Sequence, residues 1–139
     1  MAERDYSHRR VIDKLGIKAG HLIAFDQSAF PLETELQNDV LMQAGRTPNE
    51  SERADVVLAT VDATADPVEL LLRWKKRIQS DGGIWLLSPK RTEPGYVDQN
   101  ELIEAGKAAG LVDNKVCSVS ETISAMRFVI RKADRPAGQ

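Results

Sequence analysis

Apolar residues in this chain fall into two alternating arrangements, unbroken short runs and helically spaced stripes. Val56-Val57-Leu58-Ala59 and Ile84-Trp85-Leu86-Leu87 are apolar on successive positions, as strands covered on both faces must be. His21-Leu22-Ile23-Ala24-Phe25 predicts an earlier strand. Between the two runs, Val68, Leu71, Leu72 and Ile78 recur at helical spacing, and Trp74 extends that surface. Asp66 suits the N-cap of this helix, Pro67 its first turn and Glu69 the third position of a capping box. Lys75, Lys76 and Arg77 favour the negative end of the helix dipole, and Asp81-Gly82-Gly83 reads as the stop. A second capped helix opens at Asp98 with Glu101, continues through Leu102, Ile103, Ala105 and Ala109, and stops at Gly110. An N-terminal helix opens at Ser7, carries Val11, Ile12 and Leu15 on one face, and stops at Gly16, onto which Ile17 folds back.

The remaining segments complete the pattern. Asp39-Val40-Leu41-Met42-Gln43 reads as a short second strand, and residues 44–53, with Gly45 and Pro48, as a surface loop. Pro89 to Val97 is a second loop. Lys115-Val116-Cys117-Ser118-Val119 and Met126-Arg127-Phe128-Val129-Ile130-Arg131 read as strands joined by a turn at residues 120–124. That connection is too short for a helical crossover, so the pair is expected to be antiparallel. The whole predicts a single domain over residues 1–139, with 1–6 and 132–139 as flexible tails. Its class is α/β: a three-layer, Rossmann-like (methyltransferase-like), mostly parallel sheet of about six strands ending in an antiparallel hairpin.

Composition narrows the functional classes. Of 139 residues, 42% are hydrophobic and 29% charged, and the net charge is −2. Such a balance gives no global attraction to nucleic acid or anionic membrane. Aromatic residues are 5% of the chain, and with no recognition motif this argues against a nucleic-acid partner. The single cysteine, Cys117, forbids an intrachain disulfide and fits a reducing cytoplasm. Neither a signal peptide nor a run of membrane-spanning length stands out. His8 and His21 lack metal-ligand spacing, and no nucleophile elbow, P-loop or His-Glu-x-x-His occurs. Cys117, Trp74 and Trp85 read as core.

Four stretches carry a family resemblance: Leu15-Gly16-Ile17-Lys18-Ala19-Gly20, Gly82-Gly83-Ile84-Trp85 leading to Ser88-Pro89-Lys90, Leu111-Val112-Asp113-Asn114-Lys115-Val116-Cys117, and Arg127-Phe128-Val129. Together they resemble a family of short bacterial proteins catalogued only as a domain of unknown function with a methyltransferase-like fold. The resemblance runs from Tyr6 to Arg131 and implies a fold and a bacterial source, but no reaction. Ile123 stands where that family commonly has Trp, and Ala125 where it commonly has Gly.

Binding of S-adenosylmethionine on such a fold needs a glycine-rich turn after the first strand and an acid ending the second. Here the turn is Asp26-Gln27-Ser28-Ala29-Phe30-Pro31, without glycine, and the second predicted strand ends at Gln43-Ala44-Gly45, without a carboxylate. No cofactor, no metal and no catalytic residue are therefore expected. The leading expectation is a non-catalytic domain acting through protein contacts. The alternative is a binder or enzyme for a small anionic metabolite at the strand C-terminal rim, where Lys90 and Arg91 could hold a phosphate or carboxylate. That rim gathers Asp26, Ser28, Asp62, Lys90, Arg91, Glu121 and Thr122 as candidate ligand residues, with Gln27, Thr64 and Ser120 beside them. An atypical S-adenosylmethionine-dependent methyltransferase is the third reading. Asp113-Asn114-Lys115 reads as a turn at the opposite edge bonded to its own backbone, with a partner-binding patch as the alternative, and Lys75, Lys76 and Arg77 as solvated helix-end charges at that same edge that could otherwise meet an acidic partner.

Overall fold

The computed structural model describes residues 10–135. The strands are β1 (Ile23–Asp26), β2 (Ala54–Thr60), β3 (Ile78–Pro89), β4 (Leu111–Ser118) and β5 (Ile123–Ile130). Interspersed are α1 (Thr34–Ala44), α2 (Pro67–Lys75) and α3 (Gln99–Ala108). The strands form one sheet in the order β1-β2-β3-β5-β4. The β1–β2 and β2–β3 pairings are parallel, and β3–β5 and β4–β5 are antiparallel. The sheet is thus mixed and five-stranded, rather than mostly parallel with six.

The discrepancy in strand count lies at residues 39–43, which belong to α1. Leu36, Val40 and Ala44 are buried along one face of this helix, whereas Met42 is 84% exposed. Three adjacent apolar residues imitate a strand, and the longer helical spacing only shows in a wider window. No capping side chain marks the start, because Glu33 at the N-cap makes no side-chain bond.

Two other boundaries move. α2 ends at Lys75, and Ile78 opens β3 instead of closing the helix. Leu70 and Leu71 form the buried face of α2, leaving Leu72 42% exposed. Gly82 and Gly83 lie inside β3 rather than ending α2. A Cβ on Gly82 would stand 2.8 Å from the Asp55 carbonyl oxygen, so glycine permits the close approach where the β2–β3 register shifts. At the other side of the sheet, Asp113 to Lys115 lies within β4, not in a turn. The pairing with β5 slips between Asp113 and Lys115, a bulge on an open edge strand that discourages further pairing.

The capped helices form as their sequences demand. The Asp66 carboxylate accepts the Val68 and Glu69 N–H groups, at 3.1 and 3.2 Å, and Asp98 accepts that of Asn100 at 2.8 Å. Residues 10–14 are helical and end at Gly16, whose φ is 73°. There the Ile17 N–H reaches back to the Ile12 carbonyl at 3.2 Å. The expected start at Ser7 and the expected tail at residues 1–6 lie outside the described residues. Beyond β5, Lys132–Asp134 forms a 3₁₀ turn, with Arg131 Nε 3.1 Å from an Asp134 oxygen.

Alternation along β2 and β3 explains their unbroken apolar runs. Val57, Ala59, Ile84 and Leu86 pack with α2 and α3 on one face. Val56, Leu58, Trp85 and Leu87 pack on the other with α1 and the N-terminal helical segment. Trp85 is fully buried and donates its indole N–H to the Leu15 carbonyl at 3.0 Å. On the first face, Phe128 lies against Gly106, where an added Cβ would stand 2.4 Å from the ring.

After α1 the chain touches the outer edge of β1 through a parallel bridge between Leu22 and Arg46, then returns to form β2 on the other side. The connection therefore reverses direction at β1. In open α/β sheets such a reversal places the ligand crevice at the carboxyl ends of the flanking strands.

Candidate functional site

At the ends of β1 and β2, the turn after β1 is bonded to the protein's own side chains. Asp26 ends β1 with its side chain only 7% exposed. One carboxylate oxygen accepts the Ser28 backbone N–H at 3.1 Å and also the Ser28 hydroxyl. The other accepts the Trp74 indole N–H at 2.7 Å and faces Arg73 Nη2 at 3.3 Å. Burial alone would raise the Asp26 pKa. The hydrogen bonds from Ser28 and Trp74, aided by the Arg73 charge, outweigh it and hold the group below its ordinary value. Asp26 is therefore an ionised acceptor whose two oxygens are engaged, not a general acid.

Thr60, buried at the end of β2, clips the turn in place. Its hydroxyl accepts the Phe30 N–H at 3.2 Å and donates to the Phe30 carbonyl at 2.9 Å. Gln27 accepts the Leu32 N–H at 2.7 Å, and Gln37 donates to the Leu32 carbonyl at 3.0 Å. Side chains from β2, α2 and α1 thus satisfy a segment in which residues 27–30 all carry a Cβ. Such a turn offers no bare backbone for a ligand's close approach, both oxygens of Asp26 are engaged, and the carboxylate just beyond β2, Asp62, accepts from Thr64. The residues present do not fit S-adenosylmethionine.

The other rim residues fall into separate groups. Asp62 accepts the Thr64 hydroxyl at 2.6 Å and its N–H at 2.9 Å, and the hydroxyl bond leads in lowering its pKa. Lys90 donates its ammonium to the Ser118 hydroxyl at 2.6 Å, and its N–H to the Thr122 carbonyl at 2.8 Å. Lys90 and Arg91 line a cavity of about 530 Å³ with Tyr96, Asp98 and Ser124. Asp26, Ser28, Asp62, Glu121 and Thr122 do not line it, and Glu121 is exposed. The seven candidates therefore do not form one constellation.

Sequence reading missed the partners of Asp26. Trp74 reads as core because its ring is large, but its N–H serves a carboxylate 48 positions away. Thr60 ends an apolar run and carries no motif. Two of the helix-end charges are also held: Lys75 donates to the Ala109 carbonyl at 3.0 Å, and Arg77 lies 5.5 Å from the centre of the Trp74 ring. Cys117 is half-buried rather than buried, and burial pushes its thiol pKa up, away from thiolate chemistry. Among the described residues no three His, Cys, Asp or Glu side chains could share a metal ion, and no helix is long and apolar enough to cross a membrane.

This sheet and its helices define a methyltransferase-like α/β fold, and solved structures agree. The chain is similar to one in the complex between the Haloferax volcanii Trm112 methyltransferase activator and a putative methyltransferase, at 10% identity and a TM-score of 0.62 over 94% of this chain and 92% of that one. An S-adenosylmethionine-dependent methyltransferase from Aquifex aeolicus matches at 12% identity and TM-score 0.59, over 88% and 89% of the two chains. Precorrin-6y C5,15-methyltransferase from Geobacter metallireducens matches at 10% and 0.55, over 89% and 87%. At these identities the likeness concerns fold alone. The chain belongs to the family described as protein of unknown function DUF3052, whose sequence model matches residues 12–132. No curated protein matches it.

Proposed function

We propose that this protein is a non-catalytic methyltransferase-like domain that works through contacts with another protein. The observation that carries this reading is the closed β1 turn, in which Ser28, Trp74 and Arg73 occupy the carboxylate of Asp26. A fold kept without its customary crevice retains its outer surfaces as working parts. One structural relative was solved with a methyltransferase activator, which supports protein contact as a use of this scaffold. Calorimetry with S-adenosylmethionine is expected to be flat, and a saturable isotherm would overturn the non-catalytic reading. Crosslinking in the native host is expected to recover the same partner protein in repeated experiments; its consistent absence would overturn the protein-contact reading.

The rim cavity beside Lys90 and Arg91, about 530 Å³ in volume, favours a second reading. It would hold a small anionic metabolite there, with Arg91 as the cation unpartnered among the described residues, since the Lys90 ammonium is already shared with Ser118. A thermal-shift screen with Lys90→Ala and Arg91→Ala as controls tests it: a ligand whose effect survives both substitutions does not bind at this rim.

A further inference from the structure

We propose that the opposite, amino-terminal edge of the sheet carries a binding site for a small phosphate-bearing dianion. A pocket of about 310 Å³ opens there, lined by Lys14, Lys18, His21, Lys115 and Arg127 above an apolar floor that includes Trp85. Its size is at the lower end of small-ligand sites. Among the described residues, four cationic side chains line it against two carboxylates, Asp55 and Asp81, in a chain whose net charge is −2. One of those carboxylates is committed, because Asp55 accepts the Leu22 N–H at 2.8 Å.

Arg127 is the centre of the site. It is half-buried on β5, and no described residue gives it a hydrogen bond or an ion pair. Burial and the charge of Arg135 both destabilise its cation, and Asp81 offsets this only in part. The guanidinium lies against the bare backbone of Gly83, where an added Cβ would stand 2.5 Å from Nε and 2.9 Å from Nη2. A desolvated guanidinium without a partner is costly. Its planar fork suits two oxygens of a phosphate, and the lysines add point charge. With its two carboxylates counted against the four cations, the described lining carries a net charge of +2, which matches a doubly charged group better than a single carboxylate. His21 contributes a donor without needing a charge. Its Nδ1 accepts the Lys18 N–H at 3.2 Å, so the neutral ring carries its proton on Nε2.

Four stretches far apart in sequence converge here: residues 15–20, 82–85, 111–117 and 127–129 each supply lining residues. The site lies at the opposite end of the parallel strands from Asp26, so it stands or falls independently of the function proposed above.

Inorganic phosphate and pyrophosphate are the probes, in thermal shift and calorimetry at constant ionic strength, with acetate as the monoanion control. Saturable stabilisation by phosphate or pyrophosphate and none by acetate is expected. Arg127→Ala should weaken it about tenfold or more. Gly83→Ala should weaken it as well, because the added methyl displaces only the far end of a flexible side chain and leaves the strand intact. That second variant keeps the test open if Arg127→Ala folds poorly. Lys107→Ala, exposed on α3 away from both anion pockets, should change nothing. Absence of saturable binding, equal response to acetate, binding that survives both pocket variants, or binding lost in Lys90→Ala in their place would each overturn the assignment.

Discussion

The two ends of the parallel strands carry opposite electrostatic arrangements. At the carboxyl end, a buried acid is surrounded by donors from its own turn and from α2, and that turn is stitched to β2 by one threonine hydroxyl. At the amino end, a half-buried guanidinium has no partner among the described residues, and three lysines share its pocket. Fully partnered polar groups stabilise a fold, whereas unpartnered ones cost free energy. The turn at the edge where this fold customarily binds its ligand is bonded within the protein, whereas the other edge holds a guanidinium without a partner among the described residues.

That contrast should appear first in stability. Asp26→Ala removes an acceptor from the Trp74 indole, the Ser28 N–H and Arg73, and should destabilise by about 3 kcal/mol in urea unfolding. A loss below about 1 kcal/mol would mean that the carboxylate is not a keystone of the turn. The same group dictates a pH dependence. Its folded pKa lies below the ordinary 3.8, so its contribution is complete above that value and is lost as pH falls through the folded value. Asp26→Asn should flatten this part of the acid limb; an unchanged limb would assign it to other carboxylates.

Thr60→Val keeps the shape but leaves the Phe30 N–H and carbonyl unpaired, and should cost about 1–3 kcal/mol. Hydrogen exchange should show the loss at residues 27–32 ahead of the sheet core, and uniform loss across the sheet would contradict a local clip. The smallest effect is expected at the amino edge. Arg127→Ala removes a cation with no partner among the described residues and should change stability by less than about 1 kcal/mol. A loss as large as that of Asp26→Ala would erase the distinction between the two edges.

Much of the fold is legible in the chain because local signals agree with one another. Asp66-Pro67 and Asp98 announce their helices, Gly16 ends the N-terminal one, and the doubly buried runs of β2 and β3 have no other reading. α1 escaped because its start has no capping side chain and its middle imitates a strand. Gly82 and Gly83 suggested a helix stop because glycine signals both chain reversal and close backbone approach, and only the neighbouring Asp55 carbonyl decides between them. The missing glycines after β1 pointed to an altered crevice. The bonding of that turn was not legible, since Trp74 and Thr60 reach Asp26 and Phe30 from 48 and 30 positions away. The candidate rim residues share an edge, but no local pattern could show that they bond within separate turns.

The closed carboxyl edge is tested most directly by following backbone amide resonances while S-adenosylmethionine is added in large excess. The account predicts that signals of residues 26–30 and 60–64 stay in place throughout the titration. Saturable shifts confined to those residues would contradict it and restore the crevice as a cofactor site.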